Sequence, residues 1–333
     1  TETLFSVIQK LTAKNIAVVY ISHKLDEVMY LSDRITVIRD GKNIISKDKS
    51  QLTQEELIAN MIGRPLQHLY QKEPAEITDV MLEVKNLTRK GVFEDISFTV
   101  RKGEVVGFFG LVGAGRSEIM RAIFGVDKYQ SGEILLDGKK LRGGDPAAAI
   151  DAGIGFCTED RKKEGLALKL SILLNMTLVR LPLLSKLGVI NRKAQRAAAD
   201  EYMESISIKA PSVYQLVGNL SGGNQQKVVV AKWLMMHPKV LIVDEPTRGI
   251  DVGSKSEIYG LLSNLAKQGM AIIVVSSEIE EIMGVCDSVV TISEGKKTAQ
   301  LNITSDLTRE QVLSCALGSK PDWAEGGKEA ADR

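Results

Sequence analysis

Residues 110–117, GLVGAGRS, form a glycine-rich segment with the residue types that bind phosphate. The apolar run VVGFFG leads into it, and the spacing of RSEIMRAIFG predicts a helix that ends at Gly125. Glycines allow backbone N–H groups to wrap a phosphate, and the N-terminus of the following helix adds positive potential. The segment therefore predicts a phosphate-binding loop. Taken alone, it is also compatible with a purely structural strand–turn–helix.

The segment fits the template G-x-x-x-x-G-K-[ST] at every fixed position except the lysine. Gly110 and Gly115 match the glycines, Gly113 lies between them, and Ser117 offers the hydroxyl expected at Mg²⁺. Arg116 stands where the template has lysine. Its guanidinium is also a cation, but its broad fork differs from a compact ammonium and cannot be assumed to replace it.

Two acids end the short apolar run VLIVDEP, residues 240–246. Such a run is typical of a buried parallel strand. An acid at its end, Asp244, is placed to hold Mg²⁺, and Glu245 is placed to orient or polarise an attacking water. An acidic turn at the surface is the alternative for this motif alone.

A third motif, NLSGGNQQK at residues 219–227, precedes a predicted helix. Ser221, Gly222 and Gly223 would present a hydroxyl and bare amides at the helix N-terminus, which predicts an anion site. Simple N-capping by Ser221 is the alternative, and the two are compatible. The three motifs together, in this order, are far more specific than any one of them.

The composition is that of an ordinary globular protein, and the length suggests about two domains. The chain has 333 residues, of which 44% are hydrophobic and 26% charged. Its formal net charge of +1 provides no field to attract nucleic acid. The sequence has no run of 18 apolar residues, so it does not predict a membrane-spanning helix. The three distant cysteines suit neither a disulfide framework nor a zinc site, so we expect a reducing, cytosolic compartment.

The chain contains an internal repeat. Residues 1–42 align without gaps onto 255–296, and AVVYISHKLDEVMYLSDRITVIRDGK lies over AIIVVSSEIEEIMGVCDSVVTISEGK. Identical pairs include Ser22/Ser276, Glu27/Glu281 and Gly41/Gly295. The register holds through predicted helix, strand, helix and strand, which argues against chance similarity.

The repeat divides the chain into four parts. We interpret 1–63 as the C-terminal remnant of a first copy, 64–80 as a linker, 81–320 as the second copy and 321–333 as a polar tail. The chain would then be the C-terminal portion of a longer tandem-repeat protein. Strands alternate with helices in the second copy, which predicts an α/β fold with a largely parallel sheet. We expect an antiparallel β portion near 82–105 and a helical insertion near 160–210.

These motifs resemble those of ATP-binding cassette (ABC) ATPases. More narrowly, CTEDRKKEG (157–165), LSGGNQQK and DEPTRGIDVG look like the second cassette of fused, two-cassette monosaccharide importers. The resemblance covers the chain from end to end. It implies an ABC-type P-loop nucleotide-binding domain with an antiparallel β subdomain and a helical subdomain, preceded by the C-terminal part of a second copy.

The resemblance also implies roles for individual residues, with ATP and Mg²⁺ as cofactors. Glu245 matches the catalytic carboxylate, and His23 matches the switch histidine of the first cassette. Ser117 and Asp244 match the magnesium-site residues. The nucleotide-binding positions are Gly110, Gly113, Gly115, Arg116, Ser117, Glu159, Ser221, Gly222, Gly223 and Ser277. Phe93 could stack on adenine, with core packing as the alternative.

Three positions depart from the family pattern. Arg116 replaces the phosphate-loop lysine, Glu159 stands where a glutamine is usual, and Ser277 occupies the position that holds His23 in the first copy. A serine cannot hold a cationic donor near a developing phosphate charge. The resemblance therefore implies a weakened second site, although Glu245 is retained.

The leading functional interpretation is the ATPase subunit of a monosaccharide importer, peripheral on the cytoplasmic face of the plasma membrane. Its implied partners are transmembrane permease subunits, indirectly a periplasmic or extracellular sugar-binding protein, and either the missing first cassette or a second copy. A degenerate regulatory cassette that binds nucleotide without turnover is the main alternative. A soluble cassette of DNA repair or translation is disfavoured, because the near-zero charge argues against a nucleic-acid partner.

Overall fold

The computed structural model describes residues 2–22, 25–39, 41–62, 70 and 72–319. The chain divides into two compact units, Thr1–Leu69 with Asp251–Ser256, and Tyr70–Ile250 with Glu257–Arg333. His23, most of the N-terminal half of the proposed linker and the whole polar tail lie outside the described residues. No described helix is long and apolar enough to cross a bilayer.

The smaller unit is built on an antiparallel hairpin with helices before and after it. Its helices and strands are α1 (Glu2–Thr12), α2 (Leu25–Leu31), β1 (Arg34–Arg39), β2 (Lys42–Asp48) and α3 (Gln54–Ile62). Alternate residues of β1 are buried, as expected when one face of a hairpin packs on helices. Ile35 and Val37 form a small core with Leu52 and Leu57.

The larger unit contains a six-stranded sheet whose central strands are parallel. Its strands are β5 (Val105–Phe109), β8 (Ile154–Cys157), β11 (Val240–Asp244), β12 (Ala271–Ser276), β13 (Ser288–Ser293) and β14 (Lys296–Asn302), in the spatial order β14-β13-β5-β12-β11-β8. Strands β5, β11 and β12 are buried along their whole length, which explains their near-continuous apolar sequences. The carboxyl ends of β5 and β11 carry the phosphate-loop and acidic motifs.

A second, antiparallel sheet is made of β3 (Val80–Arg89), β4 (Phe93–Arg101), β6 (Ser131–Leu136) and β7 (Lys139–Lys140). It confirms the expected antiparallel β subdomain. The helices of the larger unit are α4 (Arg116–Phe124), α5 (Pro146–Ala152), α6 (Ile172–Thr177), α7 (Leu181–Leu184), α8 (Arg192–Ser205), α9 (Gly222–Leu234), α10 (Val252–Lys267, whose first turns belong to the smaller unit), α11 (Ile279–Val285) and α12 (Arg309–Ala316).

The expected helical insertion comprises α6, α7 and α8, with a short hairpin of β9 (Ser185–Lys186) and β10 (Val189–Ile190) between the last two. Two other elements were not expected from the sequence. The strand β8 follows α5, and a π-helical turn spans Arg161–Gly165. These elements escaped notice because each is only four or five residues long, too short to show a period.

The repeated segments have the same internal architecture. Strands β1 and β2 are followed by α3 as β13 and β14 are followed by α12, and the two hairpins have their register shift at aligned positions, Val37/Ile38 and Thr291/Ile292. Thr53 and Thr308 each form a reciprocal hydrogen-bonded cap with the residue three positions on. A one-residue shift within aligned hairpins is a specific shared irregularity, which helix and strand propensities alone do not require.

A third shared contact joins the serine and glutamate that are identical in the two copies. The Ser22 hydroxyl donates to Glu27 Oε2 at 3.3 Å, and the Ser276 hydroxyl donates to Glu281 Oε2. The copies differ at 17–22, where the repeat predicts a strand matching β12 and the structure has none. In the larger unit β12 is paired on both sides, by β5 and β11, and the described residues of 1–63 contain no counterpart of these two strands.

Candidate functional site

The phosphate loop connects β5 to α4, as the sequence predicts. Three glycines allow its path. A side chain at Gly110 would clash with the Ile292 carbonyl, and Gly113 and Gly115 have φ of +83° and +98°, a region that favours glycine. Gly115 is the N-cap of α4, so the N-terminal amides of this nine-residue helix face the loop.

The magnesium-site residues of the sequence analysis lie together. Asp244 ends β11, and the Ser117 hydroxyl at the start of α4 lies close enough to its carboxylate to act on its pKa. Burial raises the pKa of Asp244 to about 6, even though the nearby Ser117 hydroxyl acts to lower it. Within the described structure, Asp244 Oδ1 is buried without a hydrogen-bond partner. A buried carboxylate oxygen and a hydroxyl beside a phosphate loop are hard oxygen ligands, so these residues fit Mg²⁺.

Glu245 follows Asp244 in a left-handed backbone conformation, with φ of +47°. Its N–H donates to the Val275 carbonyl at 2.8 Å, so the adjoining strand β12 holds this residue in place. The uncommon conformation turns the chain at the end of the strand and sets the glutamate beside the phosphate loop. Glu245 Oε1 lies 3.8 Å from Arg116 Nη2.

Arg116 is almost fully buried, although it is charged. Its Nη1 donates to the Ser276 carbonyl at 2.5 Å, and Nη2 faces Glu245. Burial lowers the pKa of Arg116, and the charges of Glu245 and Asp244 oppose that shift. The guanidinium therefore links three segments, namely the phosphate loop, the end of β11 and the end of β12.

The two serines at the end of β12 differ sharply. Ser277, at the position of the switch residue, is exposed, whereas Ser276 is buried and bonded to the buried carboxylate of Glu281. Glu281 also accepts a hydrogen bond from Thr247 Oγ1 at 3.2 Å. Sequence reasoning missed this buried polar network. The identity of Ser22/Ser276 and Glu27/Glu281 in the repeat was the available signal.

The signature residues lie at the N-terminus of α9. The Ser221 hydroxyl accepts from the Asn224 N–H at 3.4 Å and from Asn224 Nδ2 at 3.0 Å, so the capping interpretation is confirmed. Ser221 is exposed, Gly222 is partly exposed and Gly223 is buried. An exposed hydroxyl at the start of a 13-residue helix is compatible with an anion site as well.

Glu159 and Arg161 join the segment after β8 to the loop after β11. Glu159 forms an ion pair with Arg248. Arg161 donates from Nη1 to the Arg248 carbonyl at 2.6 Å and from Nη2 to the Gly249 carbonyl at 3.2 Å. Sequence reasoning assigned Glu159 to nucleotide binding and missed Arg161, which lies in the noted CTEDRKKEG segment.

The structure thus brings Arg116, Ser117, Asp244 and Glu245 together at the phosphate loop. Gly222 of the signature lies beside Arg161 and Gly249 of the loop after β11 instead. Phe93 is buried in the core at 1% exposure, which agrees with core packing and not with adenine stacking. His23 lies outside the described residues.

Comparisons with known proteins agree with this geometry. The family model described as ABC transporter matches residues 93–248. The ribose import ATP-binding protein RbsA of Lactococcus lactis subsp. cremoris is 47% identical over 320 residues, covering 96% of this chain and 65% of that protein. A putative ribose/galactose/methyl galactoside import ATP-binding protein of Halalkalibacterium halodurans is 45% identical, covering 95% and 60% respectively. The chain therefore spans less than two thirds of the length of these relatives.

Solved structures give the same fold. The larger part of this chain, 71%, superposes on 93% of cbiO1 from Clostridium perfringens, a part of the ABC transporter complex cbiONQ, with a TM-score of 0.60 and 26% identity. An ATP-binding cassette dimer in a post-hydrolysis state with ADP and Pi superposes with a TM-score of 0.59 at 24% identity, which covers 68% of this chain. The expected ABC-type P-loop fold, with its antiparallel β and helical subdomains, is confirmed.

Proposed function

We propose that the chain is an ABC transporter ATPase that energises monosaccharide import, because the ABC transporter family model matches residues 93–248 and relatives of the ribose and galactose import type are 45–47% identical. It is the C-terminal portion of an ATP-binding and ATP-hydrolysing subunit that acts through a membrane permease. The structural observation behind the ATP-binding part of this proposal is the buried, unpartnered Oδ1 of Asp244, beside Ser117 and Glu245 at the phosphate loop.

The proposed domain organisation is a first-cassette remnant at 1–63, a linker at 64–80, a second cassette at 81–320 and a tail at 321–333. The shared hairpin irregularity, the shared threonine caps and the shared Ser–Glu hydrogen bond support the assignment of 1–63. The exposure of Val19 and Ile21, at 89% and 91%, fits a strand that has lost its sheet. At the aligned positions of β12, Ile273 and Val275 are fully buried.

The proposed roles follow from the contacts of each residue. Asp244 and Ser117 hold Mg²⁺, which would neutralise charge on the phosphates, and the amides of the glycine loop bind those phosphates. Glu245, fixed by its N–H bond to Val275, orients and polarises the attacking water. Arg116 supplies positive charge at the end of the phosphate loop.

We propose that this site is the weaker one of a pair. Its cation Arg116 is bound to the Ser276 carbonyl, and Ser277 lacks the cationic donor that His23 would supply in the first cassette. Ser221, Gly222 and Gly223 would complete the first cassette's site in trans, or that of a second copy. The proposed partners are permease subunits and, through them, a sugar-binding protein, at the cytoplasmic face of the plasma membrane.

A non-hydrolysing regulatory cassette is the second candidate function. The hydrogen bond from Arg116 to the Ser276 carbonyl favours this candidate, because a guanidinium held there is not free to bind phosphate. The position of Glu245 beside Asp244 favours hydrolysis. The two candidates share nucleotide binding and differ only in turnover.

The experiment is a titration of the chain with a fluorescent ATP analogue, with Mg²⁺ or with EDTA. We expect Mg²⁺ to tighten binding by about tenfold, and Asp244→Asn to abolish that gain, because the amide cannot replace the buried carboxylate. The gain should decline as the pH falls below about 6, where protons compete for Asp244.

Asp151→Asn, an exposed acid on α5, is the matched control and should behave as the wild type. Wild-type binding that ignores Mg²⁺, or an Asp244→Asn variant that retains the full Mg²⁺ gain, would contradict the assigned site.

A further inference from the structure

Arg161 lies between the loop after β11 and the signature turn of α9, two segments that the proposed function places next to bound nucleotide. Its guanidinium donates to two successive carbonyls, those of Arg248 and Gly249, in the loop after β11. The Arg248 N–H in turn donates to the Glu245 carbonyl at 3.2 Å. One turn of backbone therefore separates the Arg161 contacts from the proposed catalytic carboxylate.

The nitrogen that donates to Gly249, Nη2, also lies beside the signature. A Cβ built at Gly222 would lie 2.9 Å from Arg161 Nη2 and 3.1 Å from the Gly249 carbonyl oxygen. A side chain at position 222 would displace the guanidinium or crowd the Gly249 carbonyl. Arg161, Gly249 and Gly222 are therefore packed at one point, where the loop after β11 meets the first turn of α9.

The segment that carries Arg161 is itself fixed at both ends. Asp160 Oδ1 accepts from the N–H groups of Lys162 and Lys163, each at 3.1 Å, and so caps the π-helical turn. At the far end, the buried Lys232 of α9 donates to the Gly165 carbonyl at 2.8 Å. Because the backbone that carries it is anchored in this way, the Arg161 side chain loses little conformational entropy when it bonds to the neighbouring loop.

We propose that Arg161 is a positioning residue that ties the loop after β11 to the signature turn of α9, so that the two respond together to nucleotide at the phosphate loop. The proposal rests on the proposed function for the identity of the nucleotide. Arginine suits this task because its planar fork reaches two carbonyls at once, which a lysine ammonium on a flexible stem does not match.

The test compares amide hydrogen exchange in the wild type, Arg161→Ala and Arg161→Lys, first without nucleotide. We expect Arg161→Ala to speed exchange by about tenfold in peptides covering both 246–250 and 221–225, because the first segment loses its charged donor and the second loses the guanidinium beside Gly222. Arg161→Lys should give an intermediate effect in both. Lys162→Ala, an exposed neighbouring cation, is the matched control and should change neither peptide.

A peptide from β3 reports global stability. If Arg161→Ala also speeds exchange in the β3 peptide, that variant is destabilised as a whole. The comparison of Arg161→Lys with the wild type then tests the proposal, because the lysine variant keeps the charge. Faster exchange confined to 159–165, or to 246–250 without 221–225, would overturn the proposal. An equal effect of Lys162→Ala would overturn it as well.

The second stage adds Mg-ADP, which lacks the γ-phosphate that the family resemblance places against a signature. In the wild type we expect slower exchange in 110–117 and also in 221–225. In Arg161→Ala the 110–117 response should persist, with an ADP dissociation constant within about threefold of the wild type, while the 221–225 response is lost. An undiminished 221–225 response in that variant would contradict coupling through Arg161.

The two stages separate this proposal from the proposed function. If nucleotide leaves 110–117 of the wild type unchanged, nucleotide binding at the phosphate loop fails. The comparison without nucleotide still decides whether Arg161 holds the two segments together.

Discussion

Arg116 donates a hydrogen bond to the carbonyl of Ser276, at 2.5 Å, across the gap between the phosphate loop and the end of β12. The residue that should supply cationic charge to phosphate is therefore also a tie to the strand that precedes the switch position. Because Glu245 lies 3.8 Å from the same guanidinium, the cation is shared between an acid and a backbone oxygen.

The first prediction concerns this tie. Arg116→Lys restores the template residue and removes the bidentate reach to Ser276 and Glu245. We expect ATP to bind about tenfold more tightly, because a compact ammonium is free to serve the phosphates. The measurement is a titration with the fluorescent ATP analogue in the presence of Mg²⁺.

Arg121→Lys is the control, since Arg121 lies on the same helix and pairs with Asp127 instead. An Arg116→Lys variant that binds ATP more weakly than the wild type would show that the guanidinium itself is the preferred phosphate ligand.

The second prediction concerns the buried acid. Burial raises the pKa of Asp244 to about 6, above the value near 3.9 of an exposed aspartate. Its ionisation therefore costs stability, so the contribution of this carboxyl to the free energy of unfolding is largest below pH 4 and is lost as the pH rises through 6. Without metal at pH 8, we expect Asp244→Asn to raise the free energy of unfolding by about 2–3 kcal/mol.

The measurement is urea unfolding in EDTA at pH 8 and at pH 4. The gain should shrink towards zero at pH 4, where the wild-type carboxyl is protonated. A gain of the same size at both pH values would show that the charge of Asp244 is not the cause.

The third prediction separates the two serines at the end of β12. Ser276→Ala leaves the buried Glu281 without one of its donors, which should cost about 1–3 kcal/mol of unfolding free energy. Ser277→Ala, at the exposed neighbouring position, should stay within about 0.5 kcal/mol of the wild type. Urea unfolding of the two variants provides the comparison. Equal losses would contradict the buried network.

The sequence predicted the elements that carry long apolar runs or strong end signals. Strands β11 and β12 were apparent because they are buried on both faces, and α4 was apparent because Gly125 caps it in a left-handed conformation. The strand expected at 17–22 was wrong for this chain. Its apolar pattern is that of a strand, but a parallel strand forms only beside strands to which it can hydrogen-bond, and the part of 1–63 that the structure describes supplies none.

The sequence predicted the site residues that lie within continuous motifs. The structure brings residues 110–117 and 240–246 to one edge of the sheet, because they follow the parallel strands β5 and β11, which flank β12. The contacts of Arg116 with Ser276, and of Arg161 with Gly249, join residues 160 and 88 positions apart. Separations of this size leave no periodic trace in one sequence, so only the fold reveals such contacts.

The most direct test of the account is steady-state ATP hydrolysis by the purified chain, with Glu245→Gln beside it. Glu201→Gln, an exposed acid on α8, is the matched control. We predict slow, Mg²⁺-dependent hydrolysis that Glu245→Gln lowers by at least about a hundredfold, while Glu201→Gln retains the wild-type rate. A folded, ATP-binding wild type without turnover, or turnover that survives Glu245→Gln, would contradict the assignment of hydrolysis to this site.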